Sequence, residues 1–189
     1  MEQKNNSIVL AVVGMPGSGK SAATRYLHTK GIPVVRFGDI TDDGLAEKNL
    51  PLTPENEKTF REAIREELGM DAYAQKAKPK IEKLLETNRA IALDGLYSWE
   101  EYVYLKKLFP QLVVVHMYAE PRVRYKRLVA RKVRPLTSEE ARARDIAEIE
   151  KLHKGGPIAI ADYIIENETD MVDLTGKIDT LLQRLQITV

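Results

Sequence analysis

The segment Gly14-Met15-Pro16-Gly17-Ser18-Gly19-Lys20-Ser21 constrains this chain more than any other, because it follows the apolar run 8–13 and opens an amphipathic stretch starting near Ser21. A glycine-rich turn between a buried strand and a helix lets consecutive backbone N–H groups point inward, and the helix adds the positive end of its dipole. The spacing G-x-x-x-x-G-K-[ST] selects polyphosphate: Lys20 is placed to reach β- and γ-phosphates as a point charge, and the Ser21 hydroxyl to ligate Mg²⁺. Residues expected to line the nucleotide are Gly14, Met15, Pro16, Gly17, Ser18, Gly19, Lys20, Ser21 and Ala22. The pattern implies triphosphate binding and does not by itself separate kinases from ATPases or GTPases.

Further short apolar runs at 34–37, 90–93, 112–117 and 163–165 read as buried strands separated by amphipathic stretches of helical length. Alternating strand and helix predicts an α/β fold, a parallel sheet covered on both faces. Thr53-Pro54 and Glu120-Pro121 mark helix starts, Gly69 a helix end, and Asp71 a cap for the next helix, with Pro79 expected to kink that helix or end it near Lys78. After an Asp170 cap, Val172, Leu174, Ile178, Leu181, Leu182 and Leu185 recur at helical spacing and predict a terminal helix packed on the sheet.

One domain over 1–189 is the expectation for a chain of 189 residues with 43% hydrophobic content. Lys and Arg total 29 against 28 for Asp and Glu, so no global field draws the protein to nucleic acid or an anionic membrane, and any attraction for phosphate is local. The absence of cysteine excludes disulfides and thiolate metal sites, and the three histidines lack ligand spacing. With no apolar run near the roughly 20 residues of a membrane span, the expectation is a cytoplasmic protein.

Asp94-Gly95 follows the strand at 90–93, so the carboxylate emerges at the sheet edge from which the phosphate loop also departs; it reads either as a Mg²⁺ ligand or as turn chemistry. Asp39, just beyond the strand at 34–37, reads either as a general base toward a hydroxyl acceptor or as a cap. Between Arg122 and Arg134 seven basic residues occur without an acid, and Arg127, Arg131 and Arg134 fall at i, i+4 and i+7, one face of a helix that could clamp phosphates. A solvated basic face and an RNA-binding stripe are the alternatives, the latter with few interleaved aromatics. Asn167-Glu168-Thr169-Asp170 departs from the guanine-reading N-K-x-D, and Gly155-Gly156-Pro157 reads as a loop.

With these residues placed, the chain resembles the P-loop nucleoside and nucleotide kinases, near adenylate kinase and dephospho-CoA kinase, and most closely a mainly archaeal group related to them. Besides the phosphate loop, the matching segments are Gly38-Asp39-Ile40, Leu52-Thr53-Pro54-Glu55-Asn56, Arg65-Glu66-Glu67-Leu68-Gly69-Met70-Asp71-Ala72, Asp94-Gly95, the arginine-rich stretch, Arg144-Asp145 and Ala161-Asp162-Tyr163-Ile164-Ile165. The resemblance implies a three-layer α/β/α sandwich on a five-stranded parallel sheet. It further implies an acceptor-binding helical insertion at about 39–87 and a lid at about 127–151. By the same resemblance, ATP with Mg²⁺ is the phosphoryl donor and a small nucleotide-like molecule the acceptor: nucleoside monophosphate, nucleoside or dephospho-CoA type. An NTP-binding switch or regulatory ATPase with a protein or RNA partner is the competing function. Adenylate kinases carry an arginine shortly after the Asp-Gly pair, where this chain reads Leu96-Tyr97-Ser98-Trp99. Tyr97 or Trp99 could stack on a ring, with Trp99 expected in the core, and Arg61 and Arg65 could supply phosphate contacts.

Overall fold

The computed structural model describes residues 7–188. Five strands, β1 (Ile8–Val13), β2 (Val34–Arg36), β3 (Ala90–Asp94), β4 (Leu112–Tyr118) and β5 (Tyr163–Glu166), form one wholly parallel sheet in the order β2-β3-β1-β4-β5. Side chains alternate across it with the period of a pleated strand. Val9, Ala11 and Val13 of β1, Ile91 and Leu93 of β3, and Leu112 and Val114 of β4 feed one core. Leu10 and Val12, Ala90 and Ala92, and Val115 and Met117 feed the other. Both faces are therefore apolar, and each is covered by helices.

The first face is covered by α3 (Pro54–Leu68), α4 (Ala72–Leu85) and α5 (Trp99–Leu108), with Tyr73, Ala77, Ile81 and Leu105 buried in it. The second is covered by α1 (Lys20–Thr29) and α9 (Met171–Arg184) through Ala23, Leu27, Leu174, Ile178, Leu181 and Leu182. This is the three-layer α/β/α sandwich. The remaining helices are α2 (Gly38–Glu47), α6 (Pro121–Ala130), α7 (Ser138–Glu150) and α8 (Gly155–Ala159). From β1 the chain crosses to β2 at one edge, and from β3 it crosses past β1 to β4 on the other side, so a crevice opens at the carboxyl ends of the strands beside β1.

Local capping follows the sequence at most ends. Thr53 accepts from Asn56 N at 3.2 Å ahead of Pro54, Gly69 closes α3 at φ 91°, and Asp170 accepts from the Val172 and Asp173 amides. Three expectations are corrected. α4 runs through Pro79 to Leu85, because burial of Tyr73, Ala74, Ala77 and Ile81 outweighs the roughly 3 kcal/mol that an interior proline costs. Asp71 stands at the start of α4 without capping it; its carboxylate accepts from Gln75 Nε2 at 3.0 Å. Val172 falls on the solvent side of α9, one position ahead of the buried row.

α5 opens with a capping box in which Ser98 accepts from Glu101 N and the Glu101 carboxylate accepts from the Tyr97 and Ser98 amides at 2.6 and 3.3 Å. Glu101 is fully buried and its second oxygen has no partner among the described residues. Burial pushes this carboxyl up from 4.5 to about 7. The folded state thus keeps a proton that the unfolded chain has lost, so this group's contribution to stability is complete below pH 4.5 and is lost as pH rises through about 7. Glu101→Gln preserves the box. Calorimetry across pH 4 to 8 should show the variant gaining melting temperature relative to the wild type as pH increases.

Candidate active site

The loop between β1 and α1 owes its course to glycine. Gly17 and Gly19 adopt φ of 80° and 101°, where an L side chain is strained, and a Cβ on Gly17 would meet the Arg124 carbonyl at 2.7 Å. A Cβ on Gly19 would collide with the Asn167 side chain. α1 begins at Lys20, one residue earlier than the sequence indicates, and has no acid in its first turn, so its N-terminal dipole faces the loop uncompensated. Lys20 Nζ bends back to the Met15 carbonyl at 3.1 Å.

Three neighbours hold the loop from behind. Arg124 of α6 donates to the Pro16 carbonyl at 3.0 Å and to the Ala119 carbonyl at 3.1 Å, and forms a two-pronged pair with Asp145 of α7 at 3.0 and 2.6 Å. Tyr125 also donates to Asp145, at 3.0 Å. Asn167, beyond β5, donates its amide to the Ser18 carbonyl at 2.8 Å, which accounts for this asparagine without any base-reading role. Arg127 reaches the Asn167 carbonyl at 2.8 Å and the Gly17 carbonyl at 3.5 Å.

In front of the loop lies a cleft of about 230 Å³. Its floor is Pro16, Gly17, Lys20 and Ser21, with Asp94 at the end of β3 beside them. Asp94 accepts from Thr24 of α1 at 3.2 Å, which fixes the carboxylate. Arg131, Arg144, Glu148 and Lys154, with Arg36 and Tyr97, also line the cleft. Although the Lys20 side chain is only partly buried, burial of its ammonium, reinforced by the Lys154 charge, pushes it from 10.5 down to about 7. Burial works to raise Glu148, yet Lys154, Arg144 and Lys20 together hold it below the usual carboxylate range.

The sequence-derived candidates divide. Lys20, Ser21, Asp94 and Arg131 meet at the cleft. Asp39 lies in the first turn of α2, 3.4 Å from Arg36 and 3.6 Å from Lys80, and does not line the cleft, whereas Arg36 does. Arg127, Arg131 and Arg134 do not share a helical face, because α6 ends at Ala130 and Arg131 is extended. Pro135 disfavours helix at the residue before it, and Arg134 turns to φ 52°. Its guanidinium instead grips Glu57 of α3 at 3.0 and 2.6 Å, and Arg61 adds a third contact to that carboxylate at 3.3 Å.

Trp99 is 40% exposed and stacks on Tyr102 at 5.3 Å, not in the core as expected. Gly155-Gly156-Pro157 form the start of α8 and not a loop, with Gly156 pressed on the Trp99 ring. Arg36, Arg144, Glu148 and Lys154 are the site residues that sequence reasoning missed. Arg144 and Glu148 sit at i, i+4 on α7 and could have been found as a pair; Lys154 carries no local signal.

A phosphate loop of this geometry, on a parallel sheet of this order, defines a P-loop domain of kinase-like fold, and a family model described as an AAA domain matches residues 10–148. The chain belongs to the UPF0200 family. It is 36% identical over 184 residues to a UPF0200 protein of Thermococcus sibiricus, covering 95% of this chain and 96% of that one. It is 37% identical over 182 residues to one of Pyrococcus furiosus, covering 94% and 97%. Among solved structures it is similar to TT1252 from Thermus thermophilus (TM-score 0.65, 19% identity, 96% of this chain and 99% of that one). It is also similar to shikimate kinase from Bacteroides thetaiotaomicron (TM-score 0.59, 13% identity, 95% and 99%). At those identities the likeness is one of fold.

Breaking a buried ion pair by removing one partner costs about 3 to 5 kcal/mol, because the other charge is left stranded. Asp145→Ala should therefore lower the melting temperature by roughly 6 to 20 °C. Loss of the exposed Lys58–Glu62 pair should cost under about 1 kcal/mol. Differential scanning calorimetry compares the two.

Proposed function

We propose that this protein is an ATP-dependent phosphotransferase acting on a small nucleotide-like acceptor. The observation that carries the proposal is a phosphate loop whose cation, Lys20, shares one cleft with further cations, Arg131, Arg144 and Lys154, brought by separate elements. A binding loop alone needs one such cation. Phosphoryl transfer uses several, since charge spreads over the equatorial oxygens of the moving group and must be met from several directions.

In the proposed reaction an acceptor oxygen bonds to the γ-phosphorus, the bond from that phosphorus to the β–γ bridging oxygen breaks, and ADP leaves. An acceptor hydroxyl would give up its proton, whereas an acceptor phosphate has none to lose at neutral pH. The loop amides and Lys20 would hold the β- and γ-phosphates. Segment 127–151 would serve as the lid and 39–87 as the acceptor-binding insertion. Ser21 and Asp94 offer the hard oxygen donors that suit Mg²⁺. Among the described residues there is no group of three or more His, Asp or Glu side chains able to hold a metal ion, so phosphate and water oxygens would complete the shell. Bound there, Mg²⁺ would neutralise developing charge between the β- and γ-phosphates.

The position of Asp39 makes the acceptor class testable. Held by Arg36 and Lys80, it can act as a base toward a hydroxyl or simply fix Arg36 for an acceptor phosphate. ATP should be incubated with nucleosides, nucleoside monophosphates and dephospho-CoA, and products identified by mass. Lys20→Ala should reduce transfer by about 100-fold or more with an unchanged circular dichroism spectrum. A loss of about 100-fold or more in kcat for Asp39→Asn marks a hydroxyl acceptor, and near-normal kcat a phosphate acceptor. Inorganic phosphate as the sole product across the panel would overturn the kinase assignment in favour of a regulatory ATPase.

A further inference from the structure

Lys154 stands out among the charged residues. Its side chain is 1% exposed, it stands at the junction of α7 and α8, and it lines the same cleft as Pro16, Gly17, Lys20 and Ser21 of the phosphate loop. Nζ donates to Glu148 Oε2 and sits 5.2 Å from the centroid of the Tyr97 ring. Arg144 Nε donates to the other Glu148 oxygen at 3.1 Å. One carboxylate thus holds two cations of the cleft lining, and it is the only acceptor that the Lys154 ammonium finds among the described residues. An ammonium has three donors, so two are left without a partner there.

Energetically this is a poor way to stabilise a fold, because a buried ion pair often contributes less than well-packed apolar side chains of the same size. The surroundings make it worse. Lys154 is the strongest charge opposing Lys20, so two ammonium groups converge on one enclosed space with Glu148 and Asp94 as partial compensation. An anion placed between them removes that conflict. The loop side already accounts for phosphates at its own amides; the group reachable from both lysines is the terminal one.

We propose that Lys154, held by Glu148, is a second cationic contact for the terminal phosphoryl group of the bound triphosphate, in the same cleft as Lys20. The proposal rests on the triphosphate binding assumed in the preceding section and adds a residue outside the phosphate loop and outside the arginine-rich stretch. Glu148 is then a positioning residue, which keeps Lys154 and Arg144 aimed inward without touching phosphate itself.

The test separates terminal phosphate recognition from packing. AMP-PNP and ADP are titrated with Mg²⁺ into the full chain by calorimetry. Lys154→Met should weaken AMP-PNP by about 10-fold or more and leave ADP within about 3-fold, while Lys154→Arg keeps the wild-type ratio. Because Lys154→Met strands the Glu148 charge, the double variant Lys154→Met/Glu148→Gln provides a neutral pair of similar shape. It should recover melting temperature and still show the narrowed AMP-PNP to ADP ratio. An unchanged ratio, or equal losses for both nucleotides in the double variant, overturns the proposal and leaves triphosphate binding intact. A wild type that binds neither nucleotide overturns both.

Discussion

The Arg124 guanidinium is the interaction on which the site depends. It is buried, neutralised by Asp145, and spends its remaining donors on the Ala119 and Pro16 carbonyls. One planar fork therefore joins α6, α7 and the phosphate loop, and a lysine could not replace it, since a point charge cannot satisfy partners in several fixed directions. The cost of burying that charge is tolerable only because every partner is present together. The loop's backbone is thereby held from behind through its Pro16 carbonyl.

Around this anchor the structure distributes labour by sheet topology. β1 supplies the loop, β3 supplies Asp94 from the adjacent strand end, and the segments after β4 supply the further cations. Parallel strands deliver all of these to one edge, and the strand order places β1 where crossovers diverge, so the crevice needs no special distortion of the sheet. Asn167, just beyond the edge strand β5, completes the support by occupying the Ser18 carbonyl.

Much of this was legible in the residues. Five strands were located to within a residue at each end because apolar runs buried on both faces leave little ambiguity, and Lys20, Ser21 and Asp94 follow from one motif and one strand end. What escaped was set by tertiary contact. The run from Arg127 to Arg134 looks like a helical face, yet Pro135 and the Glu57 pair redirect its last turn. Pro79 looks like a stop, yet the buried face of α4 carries the helix past it. Lys154 looks like an ordinary surface lysine, and only its packing against Glu148 and the Tyr97 ring puts it under cover. Trp99 failed in the opposite sense: its size argued for burial, but its position at the first turn of α5 leaves the ring at the rim beside Gly156.

The Arg134–Glu57 bridge ties the segment after α6 to α3. Its two ends differ: the carboxylate is 11% exposed and the guanidinium 51%. Counter-ions can reach the arginine while the glutamate stays sheltered, so the tie between these two segments weakens as ionic strength rises. A long-range connection made of charge is thereby sensitive to the electrolyte outside, even though the protein as a whole is almost electrically neutral.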